Sequence, residues 1–280
     1  MSDGKRKKYI DLHIHSTYSD GTLTVKEIVA YASTRGLFAI ALTDHDCVAG
    51  VKEMTTVAGS IGLEVVPGVE ISSLSDNTDV HLLGYFVDVN NADLVRKLDE
   101  IRIIRIERAR RIVERLNQGG MALRFERVLE FSKGFSIGRP HIAAALIAEE
   151  YVNNYSEAFD KYLGNHTSFY IPVQKLTPRD AIALIRQAGG LAVLAHPFVL
   201  DRDDIIDTLV NEGLDGVEVY YPKQPFNMLI HYREICHKYN LLETGGSDCH
   251  GPHFGEISLG SVKTPVGLLE KMKNRLSSRV

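Results

Sequence analysis

Two histidines one residue apart close the first apolar stretch of the chain. Tyr9-Ile10-Asp11-Leu12-His13-Ile14-His15 has the composition of a strand, and Asp20-Gly21 follows. Strand alternation would set His13 and His15 on one face and Ile10, Leu12 and Ile14 on the other. Two imidazoles with a carboxylate close behind them form a metal-ligand pattern. A lone pair of this kind would be better explained by two hydrogen-bonded histidines at a strand end. Here it recurs. Later apolar runs lead into Thr43-Asp44-His45-Asp46, Pro67-Gly68-Val69-Glu70, Val80-His81, Ala195-His196-Pro197 and Gly246-Ser247-Asp248-Cys249-His250. Core packing gives no reason for a potential ligand to follow each short apolar run.

The candidates are His13, His15, Asp20, His45, Glu70, His81, His196, Asp248 and His250. Six imidazoles and three carboxylates make a mixed nitrogen and oxygen set. Such a set suits Mn²⁺, Fe²⁺ or Zn²⁺ better than Mg²⁺ or Ca²⁺, which prefer all-oxygen shells. Two ions would use roughly six to eight such groups, so nine predicts three divalent ions with a bridging carboxylate. Glu70 is the expected bridge, because a carboxylate has two oxygens to share. Clustered ions bind phosphoryl oxygens and generate hydroxide near neutral pH. The predicted chemistry is metal-assisted hydrolysis, foremost of a phosphate ester.

The elements that must position these residues alternate between strand and helix. Thr24-Val25-Lys26-Glu27 is a capping box opening a helix that Gly36 stops. Leu37 to Leu42, Leu63 to Val66 and Asp79 to Val87 are apolar strands, with a helix over Val48 to Ser60 between the first two. This rhythm predicts a parallel α/β sheet. It breaks at one long helix over Ala92 to Asn117, whose arginines are expected to form a solvated basic face for the most part. Further helical segments run from Phe125 to Phe131, Pro140 to Glu150 and Ser156 to Leu163. Residues 92–173 are therefore expected to be an inserted helical subdomain. Residues 1–91 and 174–280 form the α/β unit that carries the metal site. The rhythm returns at Thr177-Pro178, an N-cap followed by proline, and continues through strands at Leu191 to Ala195, Gly216 to Tyr220 and Leu241 to Thr244. About seven strands is close to a closed barrel, where active sites gather at the C-terminal strand ends.

Composition bounds the rest. A chain of 280 residues with 44% hydrophobic content can bury a large core, so ions are not needed merely to hold it together. Net charge is −4, from 32 basic and 36 acidic residues, which argues against wholesale coating of nucleic acid but allows a local basic site. Met1 to Lys8 is polar and basic without an apolar signal core, and is expected to be a flexible lead-in. No apolar run reaches membrane-spanning length. Cys47, Cys236 and Cys249 are odd in number, widely spaced and without Cys-x-x-Cys. That predicts a reducing, cytoplasmic setting and no thiolate zinc site.

The strings Asp11-Leu-His-Ile-His15, Thr43-Asp-His-Asp46, Pro67-Gly-Val-Glu70, Ala195-His-Pro197 and Gly246-Ser-Asp-Cys-His250 resemble, in order, the metal motifs of the PHP (polymerase and histidinol phosphatase) family. The resemblance implies a distorted (β/α)7 TIM-like barrel with a trinuclear metal centre, and it matches all nine candidates to ligands. The insertion and Gly138-Arg139-Pro140-His141 are similar to the small bacterial branch of that family. The branch includes nucleoside 3′,5′-bisphosphate phosphatases and a 5′-to-3′ exoribonuclease acting on short RNA. It implies a nucleotide or short-oligonucleotide substrate with phosphate as product. It also turns Arg139 and His141, at a helix start, into expected ligands of a substrate phosphate.

Around the ligands, one of Asp44 and Asp46 is expected to orient an imidazole, and Cys249 to pack rather than ligate. Tyr220 and Tyr221 at a strand end are suited to stacking on a base. Two other functions compete. A histidinol-phosphate phosphatase would share the metals but act on a small amine, and the insertion disfavours it. A non-catalytic binding barrel predicts lost ligands, and none is missing.

Overall fold

β1 (Tyr9–Asp11) pairs in parallel with β2 (Ala39–Leu42), and β2 pairs in parallel with β3 (Glu64–Ser75). β4 (Thr78–Tyr85) folds straight back on β3, and β5 (Leu191–Leu194) runs antiparallel to β4. β6 (Gly216–Tyr220) and β7 (Leu242–Gly245) continue in parallel. A short β8 (Thr264–Pro265) lies antiparallel to the start of β1, so the sheet order is β7-β6-β5-β4-β3-β2-β1-β8. Past these strands the ring closes. Leu12 N–H donates to Gly245 O at 3.2 Å, and His15 N–H donates to Cys249 O at 3.0 Å. The computed structural model describes residues 9–76, 78–132, 136–172, 176–252 and 256–279. The expected lead-in over Met1 to Lys8 and the boundary at Val173 lie outside them.

Helices cover the ring. α1 (Val25–Thr34) opens on the predicted capping box, with Thr24 N–H donating to Glu27 Oε2 at 2.8 Å. α2 (Val51–Gly59) packs beside it, and Ile28, Met54 and Ile14 share one buried layer. Ile10 and Leu12 instead belong to a cluster inside the barrel with Leu83, Tyr85 and Val193. The strict alternation expected from Ile10 to His15 therefore fails. The strand loses its regular pairing after Asp11 and Ile14 parts from Ile10 and Leu12, while His13 and His15 still face the site together, as expected.

α3 (Ala92–Gln118) spans two cores. Its Leu94 and Leu98 pack on the barrel layer, while Ala109, Ile112, Val113 and Leu116 belong to a separate cluster. That second cluster includes α4 (Phe125–Ser132), α5 (Arg139–Ala148) and α6 (Tyr155–Ala158), which runs on into a π-helical turn at Phe159–Leu163. α7 (Pro178–Gln187) returns to the barrel. It is followed by α8 (Pro197–Leu200), α9 (Ile206–Asn211) and α10 (Phe226–Tyr239). α11 (Gly267–Ser277) puts Leu269 and Met272 against the barrel's inner cluster.

Two expectations are corrected. The sheet is mixed rather than parallel, because β4 returns as a hairpin partner of β3 with no helix between them. β8 and α11 were not expected at all, since the segment before them is rich in Gly and Ser and lacks a clear period. Among the described residues no helix is long and apolar enough to cross a membrane.

Candidate metal centre

The nine candidates converge on one end of the barrel. Glu70, at the middle of β3, is fully buried and central. Its Oε2 lies 3.3, 3.2 and 3.1 Å from His13 Nε2, His15 Nε2 and His45 Nδ1. Its Oε1 lies 3.0 and 3.1 Å from His81 Nδ1 and His196 Nε2. Asp248 Oδ1 is 3.3 and 3.2 Å from His13 Nε2 and His15 Nε2. Asp20 completes the ring, 3.4 Å from His250 Nε2 and 3.8 Å from both His15 Nδ1 and His45 Nε2. Three overlapping groups could each hold an ion: His15, Asp20, His45 and His250; His13, His15 and Asp248; His45, Glu70 and His81.

Local backbone supports this reading. His196 and Asp248 sit in the left-handed region, with φ of 29° and 48°. Asp46, next to His45, does the same at 49°. Each costs about 1–3 kcal/mol for a residue with a Cβ, and such costs gather at functional sites. Gly246 has a steric reason: a Cβ there would fall 2.3 Å from His13 N, so only glycine lets the chain after β7 pass that close.

The donor atoms fit divalent cations. Buried atoms without a hydrogen-bond partner include His13 Nε2, both nitrogens of His15, Asp20 Oδ1, His45 Nδ1, Glu70 Oε2 and His81 Nδ1. Leaving so many polar atoms dry and unsatisfied is costly, and a cation between them removes the cost. Burial would raise the Glu70 carboxyl, but His45, His13 and His81 overcome it and hold Glu70 well below the usual carboxylate range. Burial likewise opposes a charged His15, yet Asp248 and Glu70 lift it to about 10. His45 is the opposite case: burial, with His15 and His81 beside it, pushes it down to about 3.

One carboxylate in the site was not anticipated. Glu218 of β6 is fully buried, with both oxygens 3.0 and 3.2 Å from His13 Nδ1 and Oε2 accepting from His196 N–H at 2.8 Å. It fixes the tautomer and direction of His13. Its signal was a glutamate inside Gly-Val-Glu-Val-Tyr, a strand otherwise apolar. Glu218→Gln keeps the shape and removes the charge, so metal affinity is expected to fall about 10–100-fold. Titration of stripped protein with Mn²⁺ measures this, and unchanged affinity would make Glu218 a packing residue. Tyr221 acts similarly, its hydroxyl donating to Asp248 Oδ2 at 2.9 Å and leaving Oδ1 for the cluster.

Neither Asp44 nor Asp46 orients an imidazole. Asp44 accepts from Ser16 N–H and Oγ, both at 2.7 Å, and from Ser19 Oγ, so it shapes the loop carrying Asp20. Asp46 accepts from Ser72 N–H at 2.8 Å and from the Arg105 guanidinium. Arg105 and Arg108 are corrections too, for the expected solvated face holds at Arg96 and Arg102 but not here. Arg105, Arg108 and Arg139 line a cavity of about 170 Å³ that reaches Asp20, His45 and His81. Burial, then the neighbouring Arg139 and Arg105, push the Arg108 guanidinium down to about 10. Arg139 donates to Leu163 O at 2.9 Å and Asn165 Oδ1 at 2.6 Å, with Asp79 at 4.0 Å. Three guanidiniums thus line the cavity beside the candidate ligands, with Arg105 paired to Asp46 and Arg108 donating to Ile171 O at 2.8 Å.

His141 is placed differently from expectation. It is buried, its Nδ1 accepts from Gly138 N–H at 2.9 Å, and its Nε2 donates to Ser19 O at 2.9 Å. Both ring nitrogens are engaged by main chain, so His141 ties α5 to the Asp20 loop and has no atom left for a phosphate. Cys249 is buried in the barrel layer, as expected.

A family model described as PHP domain matches residues 11–175. Three curated proteins are similar over most of the chain. A phosphoribosyl 1,2-cyclic phosphate 1,2-diphosphodiesterase of Eggerthella lenta is 32% identical, over 91% of this chain and 99% of its own. A 3′,5′-nucleoside bisphosphate phosphatase of Chromobacterium violaceum is 31% identical, over 97% of each chain. A 5′-3′ exoribonuclease of Haemophilus influenzae is 32% identical, over 91% of this chain and 93% of its own. Among solved structures, a chain of Bifidobacterium adolescentis assigned as a metal-dependent phosphoesterase superposes with a TM-score of 0.88 at 33% identity. That match covers 95% of this chain and 96% of the other.

Proposed function

The chain belongs to the PHP family, a metal-dependent phosphoesterase on an α/β barrel, and we propose that it hydrolyses nucleotides carrying a second phosphate: nucleoside 3′,5′-bisphosphates, short 5′-phosphorylated RNA, or both. The observation that carries this reading is the arginine cavity opening directly onto the ligand cluster. A monophosphate needs only the cluster. A cavity with three guanidiniums has a use when the substrate brings another anion. The Eggerthella relative is named for a phosphoribosyl cyclic phosphate, again a sugar with phosphate at two places. Histidinol phosphate brings an ammonium group instead, which this cavity would repel.

In this reading His13, His15, Asp20, His45, Glu70, His81, His196, Asp248 and His250 hold three divalent ions, Mn²⁺, Fe²⁺ or Zn²⁺. Glu70 serves two sides at once, Oε1 toward His81 and His196 and Oε2 toward His13, His15 and His45. Bound ions would polarise the phosphoryl oxygens and lower the pKa of water to make the nucleophile. The chain's own part is positioning. Glu218 directs His13, Tyr221 directs Asp248, and Arg108 and Arg139 hold the phosphate that is not attacked. Residues 92–173 act as an inserted cap. Arg105 ties it to Asp46 beside His45, and His141 ties it to Ser19 beside Asp20.

The test is phosphate release across adenosine 3′,5′-bisphosphate, AMP, short 5′-phosphorylated RNA, a ribose cyclic phosphate carrying a second phosphate, and histidinol phosphate. The bisphosphate or the RNA should lead. A clear lead for histidinol phosphate, or equal turnover of every simple alkyl phosphate, would overturn the nucleotide reading.

A further inference from the structure

The ligand cluster opens on two sides, and only one is used above. The second is a groove of about 880 Å³ lined by Arg35, Tyr221, Lys223, Ser258 and Ser261, with Asp248 and His250 along it. Glu256 is an acidic group on the same lining. Asp20 and Pro140 belong to both the groove and the arginine cavity, so the cluster lies between the two. We infer that this groove binds the downstream part of a single-stranded oligonucleotide, so that nucleotides leave one at a time from the phosphorylated 5′ end.

The inference rests on the functional reading above and extends it. A phosphodiester has two arms: in-line displacement sets the leaving O3′ opposite the attacking water, while the downstream arm stays bonded to the phosphorus and needs room of its own. A cavity of about 170 Å³ is small, suited to one terminal unit and its phosphate. The groove has about five times that volume, which suits several units of chain. A bisphosphate would leave it empty. Arg35 and Lys223 are exposed and make no ion pair among the described residues, as cations waiting for a phosphate backbone do. Lys223 is held at φ 58° in the turn after Tyr221-Pro222, a conformation a lysine adopts only when the surroundings impose it. The Tyr221 ring is fixed by its hydroxyl on Asp248 and stands edge-on to His196, 5.8 Å between centroids, ready to stack a base.

The bond broken is the same for both substrates. Water oxygen adds to phosphorus, the bond from phosphorus to O3′ of the terminal nucleotide breaks, and O3′ takes a proton. A bisphosphate then yields a 5′-nucleotide and inorganic phosphate. An oligonucleotide yields a 5′-nucleotide and a shortened chain that keeps a 5′-phosphate, so the next cut meets the same recognition.

The experiment compares adenosine 3′,5′-bisphosphate with 5′-phosphorylated RNA of two to six nucleotides, using the full chain and the variants Lys223→Ala, Arg35→Ala and both together. Wild-type kcat/KM should rise with RNA length, with single nucleotides as first products. The double variant should lose roughly 10-fold on the longer RNA, with a shallower salt dependence, and change little on the bisphosphate. Length-independent turnover, internal cuts as first products, or equal losses on both substrates would overturn the groove assignment. No release from any of these substrates would overturn the functional reading and the groove with it.

Discussion

Phosphate release is expected to fall by several orders of magnitude in His13→Ala and in Asp248→Ala, and metal content with it. Both side chains meet the cluster at 3.3 Å from one another, and Asp248 Oδ1 also reaches His15 Nε2 at 3.2 Å. Either change opens one group and weakens its neighbour, because His15 is shared between groups. In the proposed mechanism the ions would supply both charge neutralisation and the nucleophile, so the side chains left behind would have no alternative route. His13→Ala has a second cost, since it strands the buried Glu218 without its imidazole partner. Asp248→Ala avoids that cost and is the cleaner variant. Elemental analysis, circular dichroism and a phosphate assay on one preparation separate lost metal from lost fold. A folded variant with near-normal turnover would remove these residues from the centre.

The second large effect is at Arg139. Arg139→Ala is expected to lose about 1.5–3 kcal/mol of transition-state binding on a bisphosphate, roughly one to two orders of magnitude in kcat/KM. The loss should be smaller on AMP, which lacks the second group. A guanidinium offers a fork where lysine offers a point, so Arg139→Lys should recover little. Arg108 lies in the same cavity and already feels the like charge of Arg139, so removing Arg139 also relieves a repulsion. Equal losses on both substrates, or lost metal, would make Arg139 structural. It has the contacts for that, to Leu163 O and Asn165 Oδ1.

How much of this was legible depended on whether the chemistry demanded a residue type at a strand end. The nine candidates met that test, because an imidazole or carboxylate after each apolar run has no packing explanation, and the fold brings them together. Glu218 did not, since one glutamate in Gly-Val-Glu-Val-Tyr reads as the exposed face of an alternating strand. Arg105 and Arg108 were hidden among the many arginines on the other faces of α3. Helical period says which side of α3 is apolar, not that its middle overlies the metal face. His141 had a readable signal that went unused. It stands three residues after Gly138, the place from which a side chain reaches back to the helix's first amide. The reversal of β4 was also unreadable from its own residues, because direction is set by the connection and not by strand composition.

The most direct test of the account is the number of Mn²⁺ equivalents that restores phosphate release from adenosine 3′,5′-bisphosphate to chelator-stripped protein. The account predicts no release without metal and full recovery only beyond two equivalents per chain. Full activity with one equivalent or fewer would contradict it.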